Sequence, residues 1–174
     1  MMKRNFTKKL ALAGVLCAVA VVGSMFITFP VLGSKCSPTQ HMVNVLCAVL
    51  LGPGYGAGAA FAASLLRNLL GVGSIVAFPG SMCGALLCGL IYQKTRNIPA
   101  TLAGETAGTG FLGGLAAYPL ALAFLDPAVI PAAFYGYVVP FLISTVAGSL
   151  LAGALVFALR KSGTLKNMQA ALEH

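Results

Sequence analysis

Gln40, His41 and Asn44 stand three and four residues apart, which places Asn44 on the same helix face as the other two. Ser64, Arg67 and Asn68 repeat that geometry further along the chain. Ser81, Tyr118, Tyr135 and Tyr137 fall at the ends of other apolar runs, and Lys35 lies in a loop beside them. Hydrogen-bonding groups converging among aromatic and apolar walls are the composition of a small-molecule pocket. The chemistry these residue types offer is recognition rather than bond breaking.

The most telling stretch is Ser34-Lys35-Cys36-Ser37-Pro38-Thr39-Gln40-His41-Met42-Val43-Asn44, a polar, proline-broken patch in a chain of 174 residues that is 59% hydrophobic. Lipid penalises such a patch unless protein walls it in or it lines a cavity. Other readings exist for single members. Lys35 and Arg67 can snorkel to an interface. The tyrosines fit an interfacial belt, and His41 fits an ordinary polar helix start. Asn44, about two turns into a short helix, needs a partner of its own.

Glu105 is the one carboxylate inside an apolar run. A charge at a helix centre costs about 2.5–3.5 kcal/mol on insertion scales, so it should face a bundle interior. Three roles stay open for it: a hydrogen bond to ligand, a pair with Arg67, or bracing of the bundle through Thr106 and Thr109. Proton coupling through Glu105 has no accompanying relay in the sequence.

Catalytic and nucleotide-binding patterns are absent. Gly33-Ser34-Lys35 lacks the first glycine and the following helix of a phosphate loop, and no G-x-S-x-G or H-E-x-x-H occurs. Five cysteines, Cys17, Cys36, Cys47, Cys83 and Cys88, include no CxxC. Four of them lie in apolar helical runs, where cysteine is a small packing residue. Cys36 with His41 is two ligands short of a zinc site. No metal or cofactor is called for, and the chain cannot hydrolyse ATP itself.

Only 8% of residues are charged, and the mean hydropathy is +0.93. No soluble domain of this size could hide so much apolar surface. Spans of about 20 residues each allow six, roughly 120 residues in all, with short loops between. The expected spans are 9–29, 38–51, 55–70, 79–93, 99–124 and 131–159, in one integral membrane domain over 1–171. The first is expected as a retained helix rather than a signal peptide. The last three residues, 172–174, resemble the start of an expression tag and are left out of the functional reading.

The net charge of +8 follows topology rather than nucleic acid. Lys3, Arg4, Lys8, Lys9, Lys94, Arg96, Arg160, Lys161 and Lys166 fall on one side of a six-span arrangement, against Lys35 and Arg67 on the other. The positive-inside rule then puts both termini in the cytoplasm.

The second span has an explicit start: Ser37 as N-cap, Pro38 at the first position and Gln40 completing a capping box. It is short, about 21 Å at 1.5 Å per residue against a hydrocarbon core near 30 Å. An irregular segment, Val31 to Ser37, is expected to fill the missing depth. Short, interrupted helices point to transporter binding sites. Gly71 is expected as the C′ glycine closing the third span. Small residues four apart, as at Gly80, Gly84 and Cys88, or Ser144, Gly148 and Ala152, let helices approach closely.

These residues together resemble the ThiW family. The resemblance rests on Ser34 to His41, on Ser64-Leu-Leu-Arg67-Asn68-Leu-Leu-Gly71, and on Phe78-Pro79-Gly80-Ser81-Met82. It continues in Gly104-Glu105, Gly108-Thr109-Gly110 and Ala117-Tyr118-Pro119, and covers essentially the whole chain. It implies an all-α membrane protein of six helices, the thiazole-specific substrate-binding (S) component of an energy-coupling-factor transporter in the cell membrane. Such a component would capture hydroxyethylthiazole, a thiamin precursor, from outside. A transmembrane coupling protein and two ATPases would be its partners. The loop between the first two helices would cover the pocket, and the first helix would dock the coupling protein. For that docking motif, Ala-x-x-x-Ala, the nearest match is Gly14 and Ala18. Hydrogen bonds to ligand would come from Gln40, His41, Asn44, Arg67, Asn68 and Glu105, and ring contacts from Phe78, Tyr118 and Tyr135. Ser81 belongs to the same cluster, and Lys35 to the lid. Release would follow tilting of the whole subunit. Thiamin or its pyrimidine moiety is the competing ligand. A proton-coupled carrier using Glu105 and a membrane enzyme using Cys36 and His41 are the competing classes.

Overall fold

The computed structural model describes residues 2–173. In chain order the elements are α1 (Met2–Phe26), a hairpin of β1 (Phe29–Val31) and β2 (Ser34–Cys36), α2 (Pro38–Leu50), α3 (Pro53–Leu69), α4 (Ala77–Thr95), α5 (Ile98–Thr106), α6 (Gly114–Phe124), α7 (Val138–Lys161) and α8 (Thr164–Glu173). A π-helical segment, Ala107–Gly113, runs α5 into α6, giving one helical stretch of 27 residues. That stretch, Asn5–Phe26 and Val138–Lys161 are each long and apolar enough to cross a membrane. The chain is an all-α membrane protein, apart from its small hairpin.

α2 is the hub. It has 13 residues, every one buried except Met42, and it packs against α1, α3, α4, α5 and α7. Its polar side chains, Thr39, Gln40, His41 and Asn44, are buried with the rest, and the helix is wrapped on all sides. Val43, Val45, Leu46, Cys47 and Val49 meet the inner face of α1, made by Ala13, Leu16, Cys17, Ala20 and Val21, in one core. Small residues permit the approach. A Cβ on Gly148 of α7 would press into the Pro38 carbonyl and stand 2.7 Å from the His41 Cβ.

Several expectations change here. The first helix stops at Phe26, and the segment expected to be irregular is a two-stranded antiparallel ribbon pairing Phe29 with Cys36 and Val31 with Ser34. Leu32 and Gly33 turn it with φ of +48° and +79°, the sign pattern of the tight turns that match strand twist. Pairing satisfies backbone groups that an irregular segment would leave open.

The capping box does not form. The Ser37 hydroxyl lies 2.6 Å from the Ser24 hydroxyl instead, its N–H donates to Ser144 Oγ at 3.0 Å, and its carbonyl accepts the Gln40 N–H at 3.2 Å. Tertiary partners on α1 and α7 have taken the groups that a local cap would use.

The last long helix begins at Val138, not at residue 131, because Pro131 to Tyr137 form turns. α8 was not anticipated. Its Gln169 amide donates to the Val49 carbonyl at 3.0 Å and to Tyr92 Oη at 3.2 Å, closing the end of α2. Leu172 is buried in the main core, so two of the three residues set aside as a tag remnant belong to a packed helix. The third, His174, lies outside the described residues. Gly71 does take a positive φ, +72°, just past the end of α3.

Candidate ligand pocket

Beneath the hairpin lies a small cavity of about 30 Å³, about the room that two waters occupy. Lys35 and Cys36 of β2, with Ser37, form its roof. Gln40 and His41 come from the first turn of α2, Arg67 from the last turn of α3, and Ala77, Gly80 and Ser81 from the start of α4. Thr109 enters from the π-helical segment, and Phe141 and Ser144 from α7.

A buried polar floor lies under it. His41 Nδ1 stands 3.0 Å from Glu105 Oε1. Asn44 Nδ2 donates to the same oxygen at 3.0 Å and to the Ser81 carbonyl at 3.1 Å. Thr109 Oγ1 lies 2.9 Å from Glu105 Oε1 and 3.1 Å from the Gly80 carbonyl, so its one proton serves one acceptor at a time. Glu105 is fully buried. Three helical segments therefore meet at one carboxylate, α2, α5 and the π turn, and Asn44 and Thr109 carry the link on to the carbonyls of α4. A π turn re-aims the residues it contains and recurs at functional sites. Here it carries Thr109.

Two polar groups in the wall have no protein partner among the described residues: Gln40 Oε1 and Arg67 Nε. The remaining Gln40 amide donates to Asn44 Oδ1 at 3.3 Å. The hydroxyls nearby are engaged. Ser81 Oγ meets Ser64 Oγ at 2.8 Å, and Ser144 Oγ accepts from Ser37 N–H. An acceptor and a cationic donor are thus what the cavity offers, beside the Phe141 ring and the small apolar faces of Ala77 and Gly80.

Of the residues expected in the pocket, Lys35, Gln40, His41, Arg67 and Ser81 line it. Asn44 and Glu105 lie in its floor. The other four do not line it. Asn68 Nδ2 donates to the carbonyls of Ser64 at 2.8 Å and Ser74 at 3.2 Å, pinning the α3–α4 loop. Phe78 tilts against Phe61 at 5.6 Å. Tyr118 packs with Val76, Ala117, Ala121 and Tyr137 in a second core. Tyr135 is 57% exposed, edge-on to Phe134, because the turns before α7 carry it outward. The ring in the wall is Phe141, which no sequence signal separates from the other nine phenylalanines. Ser144 and Thr109 did carry one: the first in small-residue register with Gly148, the second four residues after Glu105.

Two alternatives for the charged groups are also settled. Glu105 pairs with His41, not with Arg67. Arg67 is 4% exposed and so does not snorkel. Burial pushes the Cys36 thiol above its ordinary range, and Sγ donates to the Pro140 carbonyl at 3.2 Å. A nucleophilic cysteine needs the opposite shift.

A second cavity abuts the first and shares Lys35, Ala77 and Phe141 with it. It runs from the hairpin turn at Leu32 and Gly33 to the loop at Leu125, Val129 and Pro131. The hairpin and the α6–α7 connection thus flank a vestibule over the pocket.

Residues 10–162 match the family model ThiW, described as thiamine-precursor transporter protein, and the chain belongs to that family. No curated protein matches it.

Proposed function

We propose that this member of the thiamine-precursor transporter family is the substrate-binding component of an energy-coupling-factor transporter, and that it captures hydroxyethylthiazole in the cavity under the β1–β2 hairpin. The observation that carries the reading is the roofed cavity itself, with Gln40 Oε1 free to accept and Arg67 free to donate. Phe141 offers a face to a flat, partly polar ring whose side-arm hydroxyl can donate to Gln40, once the elements around the cavity part enough to admit it. The binding residues in this reading are Lys35, Gln40, His41, Arg67, Ser81, Thr109, Phe141 and Ser144, with Asn44 and Glu105 holding the floor.

The wider arrangement proposed is six crossings, by α1, α2, α3, α4, the α5–α6 stretch and α7, with both termini in the cytoplasm of a cell-membrane protein. The distribution of lysine and arginine supports it. ATP hydrolysis would lie in two partner subunits, joined through a membrane coupling protein. Gly14 and Ala18 are exposed on the outward face of α1, as a docking surface for that protein requires. Calorimetric titration of the purified chain with hydroxyethylthiazole, thiamin and the thiamin pyrimidine tests the ligand. Tightest binding by either of the latter two overturns the thiazole assignment.

The His41–Glu105 pair favours one second reading, a proton-coupled carrier, since a buried imidazole and carboxylate in contact can exchange a proton. Uptake by liposomes holding this chain alone, driven by a pH gradient, separates it from the first.

A further inference from the structure

Among the described residues Arg67 has no counter-ion. There are three acidic residues in the sequence, Glu105, Asp126 and Glu173. Glu105 is engaged at Oε1 by His41, Asn44 and Thr109 and makes no ion pair with Arg67, although its buried Oε2 has no hydrogen-bond partner among the described residues. Asp126 is exposed and accepts the Ala128 N–H at 2.8 Å. Glu173 ends α8, which packs against α1, α2 and α7 but not against the pocket roof. Among the described residues the one ion pair is His41–Glu105. No acceptor among the described residues takes a hydrogen bond from the Arg67 guanidinium, whose five N–H donors have a fork geometry suited to two oxygens of one group. Burial does not neutralise it, because arginine keeps its proton in proteins. A second cation, Lys35, sits in the roof of the same cavity.

We infer that the natural ligand carries an anionic oxygen group, a carboxylate or phosphate ester, which Arg67 binds in the cavity and Lys35 covers from the hairpin. The inference rests on the reading of this cavity as a thiazole pocket, and it makes an acidic derivative of hydroxyethylthiazole, in place of the neutral alcohol named above, the preferred ligand. Arg67 and Lys35 set two cationic side chains against the single carboxylate of Glu105, so the site has a cation to spare. A neutral ring would leave the buried guanidinium unpaired with the substrate inside, whereas an anion completes the site. Lys35 lies on the hairpin, so an anion would also hold the roof down. A neutral compound would lack that contact.

The test uses the full chain in detergent and three compounds: hydroxyethylthiazole, its phosphate monoester, and the acid whose terminal carbon is a carboxylate. Calorimetry is expected to show one or both anions binding at least about tenfold more tightly than the neutral alcohol. In Arg67→Gln the ratio of anion to neutral affinity should fall towards one, and Arg67→Lys should keep part of it. The phosphate and carboxylate arms distinguish the two sources of the anion. If the neutral alcohol binds as tightly as both anions, the inference is overturned and the thiazole reading stands. That ratio in the parent protein decides the matter even if Arg67→Gln fails to fold. A ratio that Arg67→Gln leaves unchanged overturns the assignment to Arg67. Binding of none of the three overturns the thiazole reading and this inference with it.

Discussion

His41 of α2 and Glu105 of α5, 64 residues apart in sequence, meet at 3.0 Å beneath the ligand cavity. The carboxylate oxygen in this contact also faces Asn44 and Thr109. One buried oxygen therefore sets the position of the short central helix against the helical stretch that crosses behind it. Groups removed from water at this depth must be paired, so the network both orders the pocket floor and fixes the height of the first turn of α2.

Glu105→Ala should destabilise the fold strongly. It strips His41, Asn44 and Thr109 of a shared acceptor, and breaking a buried pair costs about 3–5 kcal/mol. Glu105→Gln keeps an oxygen and should cost less, about 1–3 kcal/mol. Thermal unfolding in detergent checks the order: parent, then Gln, then Ala. Equal midpoints for all three would remove Glu105 as the brace.

Gln40 and Asn44 should separate binding from stability. Gln40 Oε1 has no protein partner and its amide makes one long bond, 3.3 Å, to Asn44, so Gln40→Ala should weaken ligand binding by about tenfold while lowering the unfolding midpoint less than Asn44→Ala does. Asn44 joins α2 to α4 and to Glu105. Asn44→Ala should therefore lower the midpoint as well, by about 1–3 kcal/mol of stability. Both variants can be expressed, titrated and melted side by side. A reversed pattern would exchange their roles.

Gly148→Ala should push α2 away from α7. The added methyl meets the Pro38 carbonyl and the His41 Cβ, and overpacking of this kind costs about 1–3 kcal/mol. His41 moves with α2, so ligand affinity should fall together with the melting temperature. An unchanged protein would mean that the helices can separate freely here.

Leu32→Asn should stabilise the hairpin. Leu32 holds φ +48° while 74% exposed, so it bears the strain of the left-handed region with little packing to lose. That strain is about 1–2 kcal/mol for an ordinary side chain, and Asn tolerates the region better. Slower amide hydrogen exchange across residues 29–36 is the expected sign. Faster exchange would show that the leucine packs against something that matters more.

Cys36 should report on the roof. Its thiol is buried, donates to Pro140 and is shifted upward. The thiolate reacts, so alkylation should be slow at neutral pH and should accelerate only above the pH that activates a free thiol. Site-resolved mass spectrometry after iodoacetamide treatment measures it. Addition of a ligand that closes the pocket should slow the reaction further. Rapid labelling at neutral pH would mean that the hairpin stands open.

The chain's own residue types determined that it belongs in lipid, where its four middle helical stretches run to within a few residues, and that Gln40, His41, Asn44, Arg67 and Glu105 needed company. Those conclusions follow from local quantities: apolar run length, proline and glycine punctuation, and the cost of isolated polar groups in hydrocarbon. Whom each polar group pairs with was a matter for the tertiary structure. Ser37 could cap its own helix, but Ser24 and Ser144 lie closer to its groups. Glu105 had Arg67 as its basic candidate, and helix packing brings it His41 instead. Tyr135 and Phe141 lie six residues apart, yet the turns before Val138 point one outward and leave the other in the cavity. Pairing at a distance depends on the angles and depths at which helices cross. These are set jointly by all the packed faces, and no window of neighbouring residues contains them.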